Sequence, residues 1–246
     1  MRLIKPSFEI TTPLEDFKGM LVSIERAART AYKSEEKMTP DSAEKFVRMI
    51  MKRGHVSVIE HESFSVRFII DRGISHELVR HRLASFTQES TRFCNYGKDD
   101  HINFIKPNWF PNEFFTGLYK YNEKDTKSMG IKYLDEESID PEFRFYEMMH
   151  QFDVSAYRGW IMQMLDIEEN YNWLVNQHGW KPEQARSVLP NALKTEILVT
   201  ANLREWRHIF KLRTAKAAHP QMSELMRPLL DEVKNLIPVI YDDIDY

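Results

Sequence analysis

The sequence predicts an α+β fold in which an antiparallel-containing sheet is flanked by helices. Three observations predict it. Phe64, Val66, Phe68 and Ile70 alternate with Ser65 and Arg67, the period of a half-exposed strand. Leu14, Phe17, Leu21, Ile24, Ala27, Ala28 and Ala31 recur at helical spacing, as do Met222, Leu225, Met226, Leu229, Leu230 and Val233 near the other end. No internal repeat or low-complexity linker divides the 246 residues, so one domain over 1–246 is expected.

The elements follow in order. A first helix is expected over 14–32, and a second over 41–53 with Asp41 or Ser42 as cap and Phe46, Val47, Ile50 and Met51 facing inward. GHVSVIEH (54–61) reads as a turn after Gly54 that sets His55, Ser57, Glu60 and His61 just before the strand. Asp71-Arg72-Gly73 breaks that strand, and ISHELVRHR begins another helix near Ile74. Residues 97–180 are rich in Asn, Pro, Tyr and Phe, with a helical stretch around 142–176, and their aromatic side chains could form core or a lid, core being the expectation. From Pro182 onward the pattern is helical again, interrupted at Pro190 and His219-Pro220.

Composition narrows the class. A chain that is 42% hydrophobic, 12% aromatic and 29% charged has material for a sizeable core and reads as soluble and globular. A formal charge of -3 argues against a protein that coats nucleic acid. The single cysteine, Cys94, excludes an intramolecular disulfide framework and a cysteine-rich zinc site, and is expected to be a buried free thiol. MRLIKPSFEI carries no long apolar run behind its charges, and no segment approaches the roughly 20 apolar residues of a membrane span. The expected setting is the cytoplasm.

The chemistry concentrates in RHRLASFTQESTRF (80–93). At about 100° per residue His76, Glu77 and Arg80 share one helix face, with Ile74 and Leu78 pointing the other way. His81 and Arg82 then flank the apolar stripe, where burying polar heads is costly without partners. If the helix ends there, both simply reach water. The cluster continues, however, into a loop of small hydroxyl and amide side chains, Ser85, Thr87, Gln88, Ser90 and Thr91, that closes on Arg92. Small donors of this kind wrap an anion while arginine forks grip phosphate oxygens, so a phosphorylated ligand is expected.

HELVRH (76–81) resembles a zinc-protease pattern, but its histidines are five residues apart, about 140° around a helix, where a four-residue spacing gives about 40°. No metal site is expected. In TANLREWRHIFKLRTA (200–215), Trp206, Ile209 and Phe210 form an inward stripe that Arg213 extends, with Arg204, His208 and Lys211 on an adjacent face. Arg213 could cap its own helix, or enter a partly buried site and stabilise an anion forming on a substrate. Arg186, in ARSVLP before Pro190, leaves the same two options open.

At these residues the chain resembles the flavin-dependent thymidylate synthases. RHRLASFTQES matches that family's signature and Arg92 the arginine two positions beyond; GHVSVIEHESFSVRF, ARSVLP, TANLREWRHIFKLR and AAHPQ extend the match. The resemblance covers most of 20–93 and 183–222, whereas 97–180 contributes little and is longer than in compact members. It implies an α+β homotetramer with active sites between subunits. It also implies reductive methylation of dUMP to dTMP, with methylenetetrahydrofolate as carbon donor, FAD as cofactor and NADPH as reductant. Ser57, Arg80, His81, Arg82, Gln88, Asn202, Arg204 and His208 should then contact FAD, and Glu77, Arg80, Gln88, Ser90, Thr91, Arg92, Arg186 and Arg213 should contact dUMP. His55 falls near flavin and folate, and Arg213 should stabilise the uracil ring as its imide loses a proton, so that no protein thiol need attack. Four positions depart from the pattern: Phe93 for a common tyrosine, Gln88 for glutamate, His208 for asparagine, and Ala31 for serine or cysteine. Two other functions fit fewer residues: a nucleotide-binding protein without flavin, and a methyltransferase that depends on Cys94.

Overall fold

A computed structural model of the chain describes residues 1–98, 101–111, 116–121, 131–134 and 155–246. Two compact units emerge, each assembled from three stretches: Met1–Pro6, Ile70–Gly73 and Glu89–Thr195 in the first, and Ser7–Ile69, Ile74–Gln88 and Glu196–Tyr246 in the second. Strands and helices are numbered below in chain order.

The first unit contains a four-stranded sheet. β1 (Arg2–Ile4) runs parallel to β5 (Asn103–Ile105) and antiparallel to β6 (Gly117–Tyr121), which pairs antiparallel with β7 (Ile131–Leu134). Gly117 has no alternative here, because a Cβ would lie 2.7 Å from the Tyr133 hydroxyl. Leu3, Phe104, Tyr119, Tyr133, Ile161, Leu165 and Tyr171 form its core, the last three from α4 (Ser155–Asn172). The expected aromatic core is thus found, although Trp109, Trp173 and Trp180 are exposed. Residues 142–154 of the anticipated helical stretch lie outside the described residues. Cys94 packs half-buried against this core, where a fully buried thiol was expected, because its turn lies at the core's margin.

The second unit has the sheet order β2 (Ser7–Ile10), β3 (Ser63–Asp71), β8 (Lys194–Asn202), β4 (Ser85–Gln88). β3 follows the alternation read from the sequence, with Phe64, Val66, Phe68 and Ile70 buried. β8 corrects the helical reading after Pro182. Between Pro182 and this strand only α5 (Pro182–Ala185) and a 3-10 turn at Arg186–Val188 are helical, after which Thr195, Ile197, Val199 and Ala201 alternate as its buried face; the helical reading holds again from Leu203. Period two with β-branched residues prevails there. β4 was expected to be loop, yet it pairs antiparallel with β8, Gln88 opposite Ile197.

Helices α1 (Leu14–Thr30) and α2 (Ala43–Lys52) lie where periodicity put them. Ser42 precedes α2, but its hydroxyl serves the buried Glu25 carboxylate at 2.8 Å rather than capping the helix. α6 (Leu203–Arg213) buries Trp206, Ile209 and Phe210 completely. Trp206 stacks on Phe64 with ring centroids 4.7 Å apart and donates its Nε1 hydrogen to the Phe64 carbonyl at 3.0 Å, tying α6 to β3. α7 (Pro220–Leu236) buries the whole predicted stripe from Met222 to Val233. Among the described residues, no helix is long and apolar enough to cross a membrane.

Candidate active site

Site chemistry in the second unit starts at α3 (Arg72–Leu78), which is shorter than expected. It stops at Leu78, where the Arg80 and His81 amides bond three residues back in a tight turn. Arg80 therefore does not share the helical face of His76 and Glu77. His81 turns inward and is buried, whereas Arg82 faces solvent, so the paired placement of His81 and Arg82 beside the apolar stripe does not hold.

What draws His81 inward is α6. Arg213, its last residue, donates from Nη1 to the Glu77 carboxylate at 2.6 Å, from Nη2 to the Glu77 carbonyl at 2.9 Å and from Nε to His81 Nε2 at 3.0 Å. The guanidinium thus caps the end of α3 rather than its own helix, and its plane is fixed at three nitrogens. Since Nε2 accepts, the imidazole proton lies on Nδ1, which sits 3.6 Å from the buried Glu205 carboxylate. Burial, then the Arg213 charge, then His208 push the His81 pKa down to about 4, so the ring is neutral at pH 7. Burial raises the Glu205 carboxyl, and His208 opposes that shift.

Most of the other side chains expected at FAD are exposed. Arg80 and Arg82 face solvent, Ser57 is exposed on the 3-10 turn Val56–His61, and His208 lies edge-on to His81 at 5.6 Å. Arg204 pairs with Glu60 at 2.5 Å. Asn202 caps α6 by accepting the Glu205 amide hydrogen at 2.8 Å. Gln88 donates to Ser75 Oγ at 2.8 Å. All eight residues expected at FAD therefore belong to one unit, and His55, exposed after Gly54, belongs to it too. Solvent-facing guanidiniums beside neutral hydrogen-bonding groups suit a dinucleotide with a diphosphate and an uncharged ring system.

His81, Glu205 and His208 also bring metal-ligating atoms within 4.8 Å of one another. Arg213 weakens the case for a cation, because it already occupies His81 Nε2 and places a positive charge in contact with the ring.

The eight residues expected at dUMP divide evenly. Glu77, Arg80, Gln88 and Arg213 lie in the second unit, and Ser90, Thr91, Arg92 and Arg186 in the first. Arg186 Nη1 donates to Thr91 Oγ1 at 3.4 Å, the Arg92 amide to Ser90 Oγ at 3.3 Å, and Arg92 Nη2 lies 3.8 Å from Glu183. Glu205, Glu60 and Glu183 were not anticipated as partners of these groups. Only Glu205 had a local signal, its position three residues after the cap Asn202.

The family described as thymidylate synthase complementing protein matches residues 14–239. This chain belongs to the flavin-dependent thymidylate synthases. It is 32% identical over 224 residues to the flavin-dependent thymidylate synthase of Geobacter sulfurreducens, covering 88% of this chain and 78% of the relative. It is 29% identical over 231 residues to that of Corynebacterium efficiens, covering 93% and 81%. Solved structures share the fold. The UMP/dUMP methylase PolB from Streptomyces cacaoi bound with 5-Br dUMP superposes with a TM-score of 0.66 at 21% identity, over 98% of this chain and 96% of that one. Thymidylate synthase X from Helicobacter pylori with FAD and dUMP gives 0.62 at 22% identity, over 97% of both chains. The α+β expectation and the family resemblance are both borne out.

Proposed function

We propose that this chain reductively methylates dUMP to dTMP with methylenetetrahydrofolate as carbon donor, FAD as cofactor and NADPH as reductant, as a cytoplasmic homotetramer with active sites between subunits. The observation that carries the reading is Arg213, a guanidinium held at all three nitrogens beside a neutral imidazole. Ser57, Arg80, His81, Arg82, Gln88, Asn202, Arg204 and His208 are assigned to the cofactor. Glu77, Arg80, Gln88, Ser90, Thr91, Arg92, Arg186 and Arg213 are assigned to the nucleotide, with His55 beside flavin and folate.

In this reading Ser90, Thr91, Arg92 and Arg186 hold the phosphate through charge-assisted hydrogen bonds. Arg213 sets a fixed positive charge against the uracil, lowering the cost of removing its imide proton and enriching the carbon to be methylated. Glu77 and His81 hold the guanidinium in orientation, and the neutral His81 adds no repulsion to its charge. FAD, when bound, would take a hydride from NADPH and pass the reducing equivalents on to the substrate carbon. Cys94 has no place in this scheme.

The test is direct. Purified protein is expected to show a flavin absorption spectrum and to release tritium from 5-labelled dUMP only when folate and reductant are both supplied. Colourless protein that cannot take up added FAD would leave a nucleotide-binding protein as the better description.

A further inference from the structure

We propose that Glu89 is a positioning residue for the nucleotide phosphate: clasped by Tyr96 and Lys194, it holds the Ser90–Arg92 turn in its receiving shape, while Lys194 cancels the carboxylate charge beside the bound anion. The inference rests on the reading of Ser90, Thr91 and Arg92 as phosphate ligands.

Glu89 lies between the end of β4 and the turn, and both its oxygens are used. Oε1 accepts from the Tyr96 hydroxyl at 2.7 Å, and Oε2 accepts from Lys194 Nζ at 2.9 Å. The Glu89 and Lys194 side chains are only 16% and 18% exposed, and Tyr96 is buried. The Glu89–Tyr96 bond closes the loop that carries the proposed ligands. Inside it the Phe93 and Cys94 amides both donate to the Ser90 carbonyl, at 3.1 and 2.9 Å. Lys194 anchors the clasp, since its neighbour Leu193 bridges to Phe104 in the first unit's sheet. Burial, then the bond to Glu89, raises the Tyr96 phenol, so it remains a donor.

A loop tie alone would need no charge, and a partly desolvated ion pair is a costly way to make one. The charges have consequences at a phosphate. A carboxylate next to the turn repels a dianion unless an ammonium accompanies it, so the pair is neutral toward the nucleotide only while both members are present. Losing Lys194 should therefore harm phosphate binding more than losing the charge of Glu89.

The experiment titrates dUMP and deoxyuridine into the FAD-loaded full chain and its variants. Lys194→Met is expected to weaken dUMP about tenfold, Tyr96→Phe about threefold, and Glu89→Gln less than Lys194→Met, with the Glu89→Gln/Lys194→Met pair recovering about threefold over Lys194→Met. Deoxyuridine, which lacks the phosphate, should bind all of them within about twofold of wild type, and flavin content should be unchanged. Wild type that binds dUMP while Lys194→Met and Tyr96→Phe bind it equally well would overturn the proposal, as would parallel losses of dUMP and deoxyuridine. If Lys194→Met does not fold, Tyr96→Phe and Glu89→Gln carry the same comparison. Wild type that binds no dUMP at all would instead overturn the proposed function.

Discussion

Acidifying the flavin-free protein from pH 7.5 to pH 5 should cost it stability through one buried side chain, His81. An unfolded histidine takes up its proton near pH 6.5, whereas the folded His81 waits until about pH 4. Between those values the unfolded state binds more protons, so stability rises with pH in that window. The contribution is complete above about pH 6.5 and is lost as pH falls toward 4. The whole interval corresponds to about 3 kcal/mol, of which about 2 kcal/mol is gone by pH 5. Glu205, whose carboxyl is raised by burial, has the opposite sign. Its contribution is present at low pH and lost as pH rises through its folded value, so it blunts the acid loss. Denaturant melts at several pH values, run in parallel on wild type and His81→Gln, isolate the histidine because other titrations largely cancel in the difference. The wild type should lose about 2 kcal/mol more than the variant between pH 7.5 and 5. Equal slopes for the two proteins would refute the neutral, Arg213-bonded imidazole.

Three further outcomes are expected. Arg213→Ala should lower turnover at saturating dUMP by about 10²-fold while leaving the flavin-to-protein ratio near wild type; a matching fall in flavin would contradict its role at the substrate ring. Arg92→Ala should weaken dUMP binding by about 1.5–3 kcal/mol in a direct titration, the range for a hydrogen bond to a charged group, and unchanged affinity would remove it from the phosphate site. Cys94→Ser should retain full activity in the tritium-release assay, because the half-buried thiol is assigned no role at substrate or flavin and serine is close in size; an inactive variant with normal flavin content would revive the cysteine-dependent mechanism.

Local pattern carried much of the architecture. Helical periodicity located α1, α2, α6 and α7, and strict alternation located β3, because a buried face repeats within a few residues of chain. Short or mixed signals misled. KTEILVTAN follows two short helical turns and a proline, and β4 is four residues of small polar and aromatic side chains whose pairing depends on β8. Sequence motifs also identified most of the candidate ligands, since the residues of 80–92 and 202–213 come in contiguous blocks.

The sequence by itself determined which groups this protein can offer to a ligand: the arginines, the histidines and the small hydroxyl side chains. Tertiary structure alone decided their states. Arg213 meets Glu77 and His81 across 136 and 132 residues, and Arg204 meets Glu60 across 144. Such distant partners leave no periodic trace in the chain. Whether an imidazole is neutral or an arginine fixed depends on burial and on what it touches, and only the folded chain brings those neighbours together.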